Sequence, residues 1–87
     1  KLEINLNEDQ KINHIIIQED IEKGERIREY KVQGWIDGKW NTICSGQSVG
    51  HKRIQQFDEV ICSKIRLVVS ESNGKPFIQN FSLFFVE

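Results

Sequence analysis

The sequence predicts an all-β protein, an antiparallel sandwich or barrel, and three observations support this fold class. Apolar and polar residues alternate through most segments, as they do in strands that bury one face. Turn signals recur at intervals of about 8–12 residues, which divides the chain into about seven strands. The segments also lack the apolar spacing that is typical of an amphipathic helix.

The first two predicted strands differ in their apolar pattern. Residues 2–6 alternate between apolar and polar side chains, which predicts a half-buried strand. Residues 12–17 contain four isoleucines in a nearly continuous apolar run, which predicts a central strand covered on both faces. The charged segment 18–27 that follows is predicted to be a loop. Its two isoleucines are too few to anchor a helix, and Gly24 interrupts it.

The next two strands are joined by the clearest local signal in the chain. One strand is predicted to turn four residues towards the core: Tyr30, Val32, Gly34 and Ile36. Asp37-Gly38 predicts a tight type I′ hairpin, because both central residues of that turn need positive φ. The return strand carries Trp40, which is predicted to lie in the core, and it ends at Ser45-Gly46.

Three further strands are predicted over residues 49–57, 61–69 and 77–85. The second of them is predicted to turn four apolar residues inward: Ile61, Ile65, Leu67 and Val69. A turn over residues 72–76 (Ser-Asn-Gly-Lys-Pro) separates the last two strands.

Length and charge limit the kinds of partner. The 87 residues suit one small domain. Twelve Lys and Arg against thirteen Asp and Glu give a net charge of −1, which predicts neither a nucleic-acid nor a membrane partner. No apolar stretch reaches the roughly 20 residues needed to span a bilayer. Since the chain has no methionine and begins at Lys1, we expect residues 1–87 to be one domain of a longer, multidomain chain.

The residues that could carry metal or catalytic chemistry are scattered. His14, His51, Cys44 and Cys62 form no close-spaced ligand pair, which predicts no metal site, and nothing indicates another cofactor. Two cysteines leave both a disulfide and two free thiols open. Ser45 has no nearby His–Asp grouping or nucleophile elbow, so we predict no catalytic residue in this chain.

Two groups of residues are candidates for binding. Trp35 lies opposite the predicted core face of its strand, where its ring could stack on a sugar or pack against a neighbouring domain or loop. Glu19 and Asp20 are adjacent, so on an extended chain they point to opposite faces and do not form an acid–base pair. They belong to a solvated loop or to an interdomain docking surface. Lys52 and Arg53 are expected to pair with these carboxylates or with those of a partner.

Four short pieces of the sequence occur in a recognisable order: Gln18-Glu19-Asp20-Ile21, Gly24-Glu25-Arg26-Ile27, Gly50-His51-Lys52-Arg53-Ile54 and Ser63-Lys64-Ile65-Arg66-Leu67. With the Asp-Gly hairpin, they resemble the C-terminal β-sandwich of bacterial alpha-L-fucosidases of glycoside hydrolase family 29. The resemblance implies a jelly roll of the galactose-binding-like type, similar to discoidin (F5/8 type C) domains and to carbohydrate-binding modules of family 32. The first strands of such modules, and their calcium loop, have no counterpart here.

The resemblance also implies a function. The chain would be a non-catalytic accessory domain of a periplasmic or secreted fucosidase, supporting the catalytic domain of the same chain and contacting fucosylated glycans. The catalytic residues would belong to the upstream barrel, and none is carried over to this chain. Two alternatives remain at this point, an independent family 32-like carbohydrate-binding module and a discoidin-type protein-interaction domain.

Overall fold

The computed structural model describes residues 2–20, 22 and 24–87. They form five β-strands: β1 (Leu2–Glu19), β2 (Ile27–Ile36), β3 (Lys39–Gly46), β4 (Arg53–Ser72) and β5 (Ile78–Phe84). All neighbouring strands are antiparallel, in the order β3-β2-β4-β1-β5. These residues contain no α-helix, and none of their segments is a helix of the length and apolarity that a membrane crossing requires.

Two of the five strands are long because each joins two segments predicted as separate strands. Residues 2–6 and 12–17 both lie in β1, and most of the segments 49–57 and 61–69 lies in β4. The ladder between β1 and β4 continues past irregularities between Asn5 and Gln10 and between Ile12 and His14. Such bulges let a strand bend and twist without leaving its partner. The count of seven strands was therefore wrong, although the strand segments themselves were placed correctly.

The long strands carry the sheet from one layer into a second. The first half of β4 pairs with residues 10–17 of β1, and β5 lies on the other side of β1. The second half of β4 pairs with β2 and with residues 2–5 of β1, and β3 lies beyond β2. We call these the β5 layer and the β3 layer.

Inward-facing residues of both layers meet in one buried cluster: Ile12, Ile15, Ile17, Ile27, Tyr30, Val32, Val49, Cys62, Ile65 and Leu67. Ile17 in the β5 layer and Tyr30 in the β3 layer are both fully buried. An open, flat sheet exposes both of its faces, so this burial requires the two layers to face each other. The predicted antiparallel sandwich is thereby confirmed.

The predicted hairpin is also confirmed. Asp37 and Gly38 have φ angles of 53° and 77°, the positive values that a type I′ turn needs. Tyr30 and Val32 are buried as predicted, and Gly34 lies against Ile43 and Cys62, where a Cβ atom would approach the Ile43 side chain to 2.7 Å. A glycine is needed there because the two neighbouring side chains fill the space.

One inward assignment in β4 was wrong. Ile61 is 54% exposed, and Cys62 takes the buried position instead, whereas Ile65 and Leu67 are buried as predicted. The cause is the shift in register opposite Asn5 and Gln10, which moves the alternation of β4 by one residue.

Candidate functional surfaces

Glu19 ends β1 with a fully buried side chain, so it does not belong to a solvated loop. Its Oε1 accepts hydrogen bonds from the backbone N–H groups of Arg26 (2.9 Å) and Ile27 (3.2 Å). Because Ile27 begins β2, this carboxylate connects the end of the β5 layer to the start of the β3 layer. Its Oε2 is buried without a hydrogen-bond partner among the described residues. The side chain serves the fold and offers no exposed surface for docking.

The described part of the segment after Glu19 is held by the turn before β5. The Asp20 N–H donates to the carbonyl of Phe77 (2.9 Å), and the Asn73 N–H donates to the carbonyl of Arg26 (2.7 Å). The Arg26 guanidinium also lies over the Phe77 ring, 5.5 Å from its centroid. Asp20 itself is partly exposed, and its Oδ1 accepts from the Glu22 N–H (3.1 Å). Its docking role stays a prediction.

Arg53 faces the interior, where it joins a polar cluster between the layers. It pairs with Ile17 in the inward row of the β1–β4 ladder. In that cluster, the Tyr30 hydroxyl donates to Gln55 Oε1 (2.7 Å), and Gln55 Nε2 donates to the carbonyl of Ser45 (2.9 Å). Burial raises the pKa of Tyr30 above its ordinary value, and the positive charge of Arg53 opposes that rise.

Lys52, one residue earlier, lies in the loop before β4 and is exposed. No ion pair joins Lys52 or Arg53 to Glu19 or Asp20 within the described part of the chain, so the expected intramolecular pairing was wrong. Glu19 Oε1 instead accepts from the backbone N–H groups of Arg26 and Ile27, and Lys52 is exposed to solvent. Docking by Lys52 and Arg53 stays a prediction.

Trp35 lies on the outer face of the β3 layer together with Trp40. The two residues are directly opposite in the β2–β3 ladder, and their rings meet edge to face with centroids 5.3 Å apart. Lys64 Nζ lies 5.1 Å from the Trp35 centroid, and Arg66 Cζ lies 4.1 Å from the Trp40 centroid. Cross-strand partners share a face, so the prediction that Trp40 lies in the core was wrong.

This outer face is already ordered by contacts within the domain. Arg66 Nε donates to Gln33 Oε1 (2.7 Å), and Gln33 Nε2 donates to Thr42 Oγ1 (3.3 Å). Trp35 is partly exposed, but a sugar stacked on the ring face beneath Lys64 would compete with the ammonium group. Sequence reasoning missed Lys64 and Arg66, because their contact with the rings follows from strand pairing and not from any local motif.

The described residues offer no constellation that could hold a metal ion. A cleft of about 490 Å³ has six lining residues: Asp20, Glu22, His51, Phe77, Ile78 and Gln79. Among the residues that the structure describes, no three His, Cys, Asp or Glu side chains are arranged to hold a metal ion. Cys44 and Cys62 are free thiols, the first partly buried and the second buried. Burial raises the pKa of Cys44 to about 11, with Arg53 opposing the rise.

Residues 1–83 match the model of the F5/8 type C domain. The chain therefore belongs to the F5/8 type C domain family, whose fold is the β-sandwich described above. In this family the domain is non-catalytic, which agrees with the lack of predicted catalytic residues.

Several solved structures and known proteins share this domain. A protein of Bacteroides thetaiotaomicron VPI-5482 assigned as an alpha-L-fucosidase is 49% identical, with a TM-score of 0.95 over 99% of this chain and 20% of its own. A Ruminococcus gnavus fucosidase of glycoside hydrolase family 29, solved in complex with fucose, is 28% identical, with a TM-score of 0.84 over 100% of this chain and 19% of its own. Alpha-L-fucosidase 1 of Arabidopsis thaliana is 32% identical over 75 residues, 83% of this chain and 15% of its own length.

These matches confirm the resemblance to the β-sandwich domain of family 29 fucosidases. The chain spans only about 15–20% of the length of these relatives. A chitosan-binding module of a Paenibacillus sp. IK-5 chitosanase/glucanase, solved with chitotriose, has the same fold, with a TM-score of 0.80 at 17% identity over 94% of this chain and 66% of its own. That likeness concerns the fold alone.

Proposed function

We propose that this chain is the accessory domain of a family 29 alpha-L-fucosidase and that it supports the catalytic domain of the same chain by packing against it. The observation that carries the proposal is the match of 99% of the chain, at a TM-score of 0.95, to one fifth of a protein assigned as an alpha-L-fucosidase. A domain that recurs within such longer chains has a neighbouring domain in each of them. Support of that neighbour needs no chemistry from the 87 residues.

Removal of the domain from the parent enzyme tests this proposal. We expect the truncated enzyme to lose thermal stability by several degrees, while kcat on a small aryl fucoside, measured well below the melting temperature, stays close to that of the full enzyme. The physical reason is that an interdomain interface stabilises the folded state of both partners. An unchanged melting temperature would contradict the supporting role, and a parent without fucosidase activity would contradict the assignment.

A second proposal is that the domain contacts fucosylated glycans through Trp35. It rests on a partly exposed ring on a sheet face, with the polar side chains of Gln33 and Thr42 on the neighbouring pair of strand positions. An aromatic ring with hydrogen-bonding neighbours suits a sugar. In a glycan array with the full parent enzyme bearing an inactivated catalytic site, Trp35→Ala should remove binding that the Thr42→Ala variant only weakens. Binding that is equal in both variants would place the glycan elsewhere.

We also propose a cellular location for the parent enzyme. A fucosidase that acts on extracellular glycans is expected to be periplasmic or secreted, and fractionation of cells that express the parent gene tests this. Recovery of the enzyme in the cytoplasmic fraction would contradict it. If the array stays silent and the melting temperature does not depend on the domain, the discoidin-type protein-interaction alternative takes precedence.

A further inference from the structure

The outer face of the β5 layer exposes apolar side chains next to uncharged polar ones. Two rows of side chains cross this face from β4 through β1 to β5: Ile54, Ile16 and Ser82 in one row, and Gln56, His14 and Phe84 in the next. Ile54 is 59% exposed and Phe84 is 43% exposed, while Ile16 is partly exposed between them. We call these six residues the outer β5 face. None of them carries a fixed charge.

The apolar run in β1 explains why this face is unusual. Ile15 and Ile17 point inward and are fully buried, whereas Ile16 points outward. A strand that is apolar on both sides is typical of a sheet covered on both faces. Within the described residues, only the inner side of β1 is covered. The sequence therefore predicts a second cover that the described part of this chain does not provide.

The free edge of the sheet next to this face is also unprotected. β5 is the last strand in the order, and its seven residues, Ile-Gln-Asn-Phe-Ser-Leu-Phe, contain no charged side chain and no proline. Soluble proteins usually place a proline, a lysine or another charged residue on an open edge strand, which prevents pairing with a further strand. The opposite edge strand, β3, starts with Lys39. An uncharged edge beside an uncharged face points to a surface that is buried in the complete protein.

The opposite face of the sandwich has a different character. Lys64 and Arg66 cover the two tryptophan rings of the β3 layer, and Lys31 lies on the same side in the row next to Gln33. These charges suit a face that stays in contact with water. The two outer sides therefore differ: cations cover the tryptophan rings of the β3 layer, whereas Ile54 and Phe84 lie exposed on the outer β5 face. The charges nearest to that face on β1 and β4 include the exposed Lys11–Glu59 ion pair, which lies outside the six residues.

We propose that the outer β5 face and the edge of β5 pack against an apolar surface of the parent chain outside these 87 residues. This inference rests on the proposed function for the existence of that chain. The relatives have at least four fifths of their length outside the matched domain, which is ample material to cover one face. A partner with an apolar centre and hydrogen-bonding groups at its rim suits the isoleucines, Phe84, and the polar Gln56 and Ser82 beside them.

Hydroxyl-radical footprinting of the full parent enzyme, read by mass spectrometry, tests the inference without any mutation. Phe84 and Phe77 are matched probes, because they are the same residue type with exposures of 43% and 39% in the domain, and only Phe84 lies on the outer β5 face. We expect Phe84 to be labelled at least fivefold more slowly than Phe77, and Ile54 to be protected in the same way. Labelling of Phe84 in the parent that is as fast as expected for a side chain 43% exposed would overturn the proposal.

A pair of variants in the parent enzyme gives a second readout. Ile54→Asp places a charge on the outer β5 face and should lower the melting temperature of the parent by several degrees. Thr42→Asp is the control, since it changes an exposed β-branched strand residue on the opposite face. Equal effects of the two variants would count against this surface. Protection of Phe84 that disappears on dilution, together with a dimeric parent, would assign the face to a second copy and would also overturn the proposal.

The labelling of Phe84 tests the proposed interface whatever reaction the parent enzyme catalyses. An inactive parent would refute the fucosidase assignment, while the labelling of Phe84 would still decide whether this face is covered. Conversely, a parent that is destabilised by loss of the domain but labels freely at Phe84 would keep the supporting role and move the interface elsewhere.

Discussion

At the residue scale, Glu19 shows how a charged motif can serve the fold. In the sequence it appears within a run of acidic and basic residues, so local pattern places it in solvent. In the structure the alternation of β1 continues through it and turns its side chain inward, where two backbone N–H groups donate to Oε1. The strand could be predicted from sequence, but its length could not, and the burial of Glu19 depends on that length.

Replacing Glu19 tests this role. Glu19→Ala leaves the buried N–H of Ile27 and the N–H of Arg26 without their acceptor and also creates a cavity, so we expect a loss of about 2–4 kcal/mol in the free energy of unfolding. Glu19→Gln keeps an acceptor oxygen and should cost less. Urea denaturation measures both changes, with Glu22→Ala as the exposed control. An alanine variant as stable as the control would refute the assigned contact.

The partly buried thiol of Cys44 is expected to make the stability of the fold depend on pH in the alkaline range. Burial raises its pKa from 9.0 to about 11 in the folded protein, against the opposing charge of Arg53, and the buried hydroxyl of Tyr30 also has a raised pKa. A raised folded-state pKa means that the unfolded chain loses its proton first. The contribution to stability is therefore complete below about pH 9 and is lost as pH rises through about 11.

Urea midpoints measured between pH 8 and pH 11 under reducing conditions test whether stability falls as pH rises. The wild-type midpoint should fall across this range, and the midpoint of Cys44→Ser should fall less, because serine does not ionise there. A slope that is the same in both proteins would show that Cys44 does not contribute. The residual slope of the variant belongs to Tyr30 and Cys62, whose pKa values are also raised by burial.

At the element scale, the sequence predicts where strands occur better than where they end. The polar residues 7–11 look like a break between two strands, yet the ladder resumes at Gln10 after an irregularity. Asn7 adopts a φ of 69°, and its N–H donates to Asn5 Oδ1 (2.8 Å), so the irregularity is stabilised locally. Local composition cannot distinguish such a bulge from a turn, because both use asparagine with positive φ.

The β2–β3 hairpin is the element that local sequence determines most directly. Gly38 has a φ of 77°, and a Cβ atom there would meet nothing within 4 Å. Gly38→Ala should therefore cost about 1 kcal/mol from backbone conformation alone. Asp37→Asn should be close to neutral, since asparagine tolerates the left-handed region. Chemical denaturation compares the two, and an alanine variant as stable as the asparagine variant would contradict the turn assignment.

The cross-strand contacts on the outer side of the β3 layer could not be predicted from the alternation of residues within one strand. Trp35 could be placed on an outer face from alternation, but Trp40 was assigned to the core, because its neighbour in space is fixed by the hairpin register. Once the register is known, Lys64 and Arg66 follow as the cations above the rings. The candidate site therefore depends on pairing over 20 to 30 residues, which alternation within one strand does not encode.

At the scale of the whole molecule, the two layers share one core but differ on their outer sides. The fold class could be predicted because alternation at every second position survives in each strand segment. The family could be proposed from four short pieces in order, and the F5/8 type C match over residues 1–83 agrees with it. Local sequence patterns do not predict which outer side of the sandwich is exposed, because that exposure depends on the order of the strands in the sheet.

Differential scanning calorimetry of the full parent enzyme tests the central claim, that this domain is stabilised by packing against the rest of its chain. We expect the domain and its neighbour to unfold in one cooperative transition, and Ile54→Asp to separate it into two. A wild-type parent in which the domain unfolds in its own transition, at a temperature that Ile54→Asp leaves unchanged, would contradict the claim.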